Sequence, residues 1–101
     1  MMSDYQVPTA RVTSSERRGF EVSIDDEPGI SLFAFHGSLN KRIADLNDQT
    51  WAADIIGKDK DGRWTYTNRD VELKDGDVIY YWTTVRYNGR DYHRMNQSAG
   101  F

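Results

Sequence analysis

Apolar and polar residues alternate with a period of two along most of this chain, the spacing of strands that bury one face. Phe20-Glu21-Val22-Ser23-Ile24 is the clearest case. Residues 30–36 (ISLFAFH) are apolar at both parities, as in a central strand covered on both sides. Residues 5–13 are expected to form a first strand, which Pro8 confines to an edge or bulge because it lacks an amide proton. Residues 50–56, 63–66, 71–73, 78–86 and 92–95 complete the strand set. Turn chemistry separates them at 14–19, 25–29, 58–62 and 74–77. Asn88-Gly89 is a type I′ hairpin signal, since both central residues of that turn need positive φ. Residues 39–46, with apolar positions at 39, 43 and 46, read as a helical turn or a long loop. Seven to eight short strands with turns every eight to twelve residues predict an all-β, immunoglobulin-like β-sandwich. Residues 5–95 are expected to form this one domain, with 1–4 an artificial leader and 96–101 a loose tail.

The stretch VIYYWTTVRY, residues 78–87, divides into two faces. One carries Ile79, Tyr81, Thr83, Val85 and Tyr87, and the other Val78, Tyr80, Trp82, Thr84 and Arg86. The second holds a threonine and ends in a charge, so it is expected to be the wet one. A tryptophan in mid-strand is more often core than surface. An exposed indole among hydroxyls and charges is instead a platform for a sugar ring, whose axial C–H bonds pack on the π face.

Composition narrows the function classes. The 101 residues suffice for a single core, and there is no cysteine to form a disulfide or a thiolate metal site. Two histidines without cysteine make a zinc site improbable, and no cofactor motif is present. The net charge of −3, with acids and bases interspersed, argues against a nucleic-acid partner. No apolar run is long enough to span a membrane. No signal peptide stands at the N-terminus, so on a secreted reading it has been removed.

Six words occur in order: Tyr5-Gln6-Val7-Pro8, Gly19-Phe20-Glu21-Val22-Ser23-Ile24, Leu32-Phe33-Ala34-Phe35-His36-Gly37, Trp51-Ala52-Ala53-Asp54-Ile55, Gly62-Arg63-Trp64-Thr65-Tyr66 and Gly76-Asp77-Val78-Ile79-Tyr80-Tyr81-Trp82-Thr83. Together they resemble the N-terminal domain of the insect β-1,3-glucan recognition proteins, also called Gram-negative bacteria binding proteins. The resemblance implies a secreted, non-catalytic carbohydrate-binding module that recognises β-1,3-glucan of fungal walls (curdlan and laminarin being forms of it) in haemolymph, as part of innate immunity. Proteins of an immune protease cascade are implied as further partners. It places Trp82 on the sugar-binding face and makes Asp54 a ligand contact. Tyr80, Thr84, Thr50, His93 and Arg94 are the further candidates. Three of these mark departures from the family pattern. Thr84 stands where an aromatic is common, His93 where an arginine is common, and Thr50 where an acidic or polar residue is common.

Other constellations are set aside. Trp51 and Trp64 read as packing residues, and His36, after an apolar strand, as a satisfied core or turn histidine. Residues 57–68 imitate a calcium loop, but Gly57 stands at the first ligand position and Asn68 at the bidentate one. Asn96-Gln97-Ser98 is a glycosylation sequon. Glycoside hydrolysis needs two carboxylates across a cleft, and the acids here fall mainly in turns. The alternative to a glucan-binding module is a protein-interaction sandwich whose Trp82 face docks a protein.

Overall fold

The structure, a computed structural model, describes residues 5–14, 18–45 and 49–101. Its strands are β1 (Arg11–Thr13), β2 (Arg18–Asp25), β3 (Ile30–Leu39), β4 (Trp51–Ile55), β5 (Arg63–Glu72), β6 (Val78–Tyr87) and β7 (Arg90–Gly100). They form a three-stranded sheet in the order β1-β2-β5 and a four-stranded sheet in the order β4-β3-β6-β7. Every pairing is antiparallel. This is the β-sandwich that the period-two pattern predicts.

The core lies between the sheets. Phe20, Val22 and Ile24 enter it from β2, Phe33 and Phe35 from β3, and Ile79, Tyr81 and Val85 from β6. Phe35 bridges the layers, with its ring 6.0 Å from Phe20 and 4.6 Å from Tyr66. Each such ring contributes about 1.5–3 kcal/mol through burial, and each aromatic pair adds roughly 0.5–1.5 kcal/mol. Gly37 makes room for this ring, because a Cβ there would stand 2.5 Å from Phe35. Trp64 is buried and donates from Nε1 to Asp26 at 2.9 Å, and Trp51 packs on Phe20 at 5.0 Å. Both are packing residues, as their sequence words suggest.

The alternation in β6 sorts its side chains as expected. Ile79, Tyr81, Thr83 and Val85 are buried against the core. At its end Asn88 (φ 51°) and Gly89 (φ 82°) make the predicted hairpin turn.

Three segments depart from the pattern. The N-terminal strand is confined to β1. Ahead of it Val7 is buried, and Tyr5 stacks on Tyr87 at 3.9 Å and 7°. These residues pack by side chains, and Pro8 cannot donate to a ladder. Residues 96–101 are not a loose tail. β7 runs to Gly100, and Phe101 is held by bonds from Gly76 N to its carbonyl and from its amide to Asp77 O, both 2.9 Å. Residues 40–45 contain no helix and form irregular chain. Residues 1–4, expected to be a leader, the middle of the expected 14–19 turn and Leu46 lie outside the described residues.

Candidate functional site

The outer face of the four-stranded sheet is built in rows across its strands. One row runs Asp54 (β4), Ala34 (β3), Thr84 (β6), His93 (β7). The next runs Ala52, His36, Trp82. A third sets Ser38 beside Tyr80 and Ser98, with Thr50 hydrogen-bonded to Ser38 through its hydroxyl at 3.3 Å.

Trp82 is therefore not core. It stands half-buried on the outer face, between two histidines. His36 lies flat against it, with centroids 3.9 Å apart and planes within 6°. His93 meets it edge-on at 5.9 Å and 73°. Thr84, buried, shares a 2.8 Å hydrogen bond with His93 Nδ1 and so fixes that ring. Neither Trp82 Nε1 nor His36 Nδ1 has a hydrogen-bond partner among the described residues, and both atoms are sealed from solvent. Burial lowers the His36 pKa below its ordinary value, and the neighbouring His93 lowers it further while Asp54 opposes the shift. His36 is thus held neutral near pH 7.

A bulge in β7 shapes the far side. The register slips between Tyr81 and Thr83, so Met95 and Asn96 together oppose Trp82, and Asn96 takes φ 58°. On the other flank the chain after β3 folds back over β6 and brings the Arg42 guanidinium 5.0 Å above the Tyr80 ring. Between bulge and loop runs a groove of about 370 Å³ lined by Arg42, Ile43, Ala44, Asp45, Tyr80, Tyr81, Trp82, Met95, Asn96, Gln97 and Ser98. Such a groove offers an indole and a phenol ring beside amide, hydroxyl, guanidinium and carboxylate groups. That mixture suits a sugar, apolar on its ring faces and polar at its rim.

Of the residues singled out from the sequence, Trp82, Tyr80, Thr84, His93, Asp54 and Thr50 share this face. Arg94 does not. It pairs with buried Thr83, and its guanidinium reaches back to the Val7 carbonyl at 3.2 Å. Its parity in β7 carries it to the inner side. His36, read as a core or turn residue, belongs to the outer face. Its parity with Ala34, opposite to that of Phe33 and Phe35, was the available signal. Arg42 and Asp45 reach the groove from irregular chain, where no periodicity points to them. The Asn96-Gln97-Ser98 sequon lies within β7 at the rim of the groove, with Asn96 exposed.

The imitation calcium loop has a different use. Asp59 accepts bonds from the Asp61 and Arg63 amides and the Thr65 hydroxyl at 2.7–3.0 Å, so its carboxylate closes the turn. No group of histidines and carboxylates among the described residues could hold a metal ion.

The chain as a whole is similar to several known proteins. Residues 6–100 match the CBM39 family, described as a carbohydrate binding domain (family 32). Gram-negative bacteria-binding protein 3 of Drosophila melanogaster is 54% identical over 94 residues, which are 93% of this chain and 19% of that protein. The beta-1,3-glucan-binding protein of Tenebrio molitor is 46% identical over 83 residues (82% and 17%), and beta-1,3-glucan-binding protein 1 of Galleria mellonella 43% over 95 residues (94% and 19%). The chain spans about a fifth of the length of these relatives. The crystal structure of the Br derivative of BhCBM56 superposes with a TM-score of 0.66 at 14% identity, over 96% of this chain and 97% of that one. That likeness is one of fold.

Proposed function

Since the chain belongs to the CBM39 family, the carbohydrate-binding domain of insect glucan-binding and Gram-negative bacteria-binding proteins, we propose that it binds β-1,3-glucan on the outer face of the four-stranded sheet. The domain is a non-catalytic carbohydrate-binding module. The observation that carries the site is the position of Trp82, turned away from the core and opening on the groove beside Tyr80 and the β7 bulge. In this reading a glucose ring packs on the indole, His93 offers it a hydrogen-bonding group, and Asp54 and Thr50 meet neighbouring sugars of the glucan. Thr84, being buried, acts by holding His93.

The names of the relatives support the choice of sugar. On this reading the protein is secreted into haemolymph, where it would report fungal wall to an immune protease cascade. Sedimentation with insoluble curdlan tests the binding. The domain should be retained on curdlan and released by soluble laminarin. A domain that stays in the supernatant would leave the Trp82 face to a protein partner instead.

A further inference from the structure

An indole has two faces, and in this chain one of them is already taken. His36 and Trp82 stand directly opposite each other on adjacent strands. Neighbouring strands lie roughly 4.8 Å apart, so two flat side chains rising from opposed positions meet face to face. The observed stack, 3.9 Å and 6°, is that arrangement. His36 gains no hydrogen bond through Nδ1, which is sealed from solvent and unpartnered. What the imidazole supplies there is a flat surface. The nearest positions on that side of Trp82 are small, Ala34 two residues before His36 on β3 and Ala52 across from it on β4, with Asp54 one row further on. Without His36 nothing of comparable size would stop the indole from turning toward β4.

We propose that His36 is a positioning residue for glucan binding. It occupies one face of Trp82, holds the indole upright and leaves the sugar only the face and edge that open on the groove. This rests on the glucan reading above. It explains why a histidine stands on an outer face with an unsatisfied nitrogen. It also makes the platform one-sided, so that a sugar stacked on Trp82 lies toward β7 and the chain at Arg42. A platform held by packing loses less entropy on binding than one free to turn.

The test compares His36→Ala with His36→Phe. Laminarin affinity is measured by calorimetry, and the indole environment by near-ultraviolet circular dichroism against a Trp82→Phe baseline. His36→Ala should weaken binding about tenfold, some 1.4 kcal/mol, and flatten the indole signal. His36→Phe restores a flat ring without the nitrogens, so it should keep the signal and bind within about twofold of the wild type. If His36→Ala fails to fold, His36→Leu takes its place, filling volume without a flat face, with the same loss expected. Wild-type affinity in His36→Ala overturns the proposal. So does His36→Phe binding as weakly as His36→Ala, since the imidazole nitrogens would then be what matters. A wild-type chain that does not bind laminarin sinks the glucan reading itself, and the circular dichroism alone then decides whether His36 holds Trp82.

Discussion

Trp82→Ala separates a binding face from a core more sharply than any other substitution. Phe35 shows what core loss would look like. It is fully buried and touches both sheets, so its truncation should cost about 3–5 kcal/mol. Trp82 is half-buried and lies outside the core cluster. Its truncation removes one stack on His36, one edge contact with His93 and part of an indole's burial. The two ring contacts alone come to about 1–3 kcal/mol. For a domain of this size that is a fall of roughly 4–24 °C in Tm, with cooperative unfolding retained. Affinity should suffer far more, because the removed ring is the one apolar platform of the groove that the stack holds rigid. Loss of about a hundredfold or more in laminarin affinity is expected, near 2.7 kcal/mol. Calorimetry and thermal unfolding on the same preparations read both quantities. Unfolding of Trp82→Ala as readily as Phe35→Ala, or its continued sedimentation with curdlan, would refute a surface role for the indole.

Three other outcomes follow from the same geometry. Asp54→Asn keeps the shape of an exposed side chain, so stability should stay within about 0.5 kcal/mol while laminarin affinity falls several-fold, as titration of the variant would show. Acid should weaken the native state through His36. Burial depresses its folded pKa below the ordinary 6.5, so its contribution is complete above that pH and is lost as pH falls through 6.5 toward the folded value. Asp54 opposes this shift and His93 deepens it, and urea midpoints at several pH values should slope less in His36→Phe than in the wild type. A shallow sheet face touches one side of each sugar, so long helical β-1,3-glucan, already ordered and multivalent, should bind far better than short laminari-oligosaccharides, with β-1,4-glucan inert. Equal per-site affinity for short and long chains in calorimetry would contradict that.

What could be read from the sequence was whatever a strand's own alternation decides. The facing of β6, the burial of Phe20, Val22 and Ile24 and the Asn88-Gly89 turn are local consequences of period two and of φ preference. What escaped depends on breaks in that period or on contacts between distant segments. The bulge at Met95 and Asn96 reverses the parity of β7, so residues 96–100 looked like a polar tail although Ala99 pairs with Ile79. Arg94 went to the wrong side because being near a candidate contact in sequence says nothing of which way the strand points it. His36 found its partner 46 positions further on, at Trp82, a contact that only the β3–β6 register reveals. The first strand is shorter than the pattern predicts because Val7 is buried, and Tyr5 half-buried, by packing rather than by pairing.

The central claim is that glucan lies on the outer face of the four-stranded sheet around Trp82. Amide and indole chemical-shift mapping during a laminarin titration tests it residue by residue. The account predicts shifts at the Trp82 indole, at His36, His93 and Asp54, along residues 42–45 and at the β7 bulge, with β1, β2 and β5 silent. Shifts gathered instead on the three-stranded sheet, around Arg18 and Arg69, would contradict it.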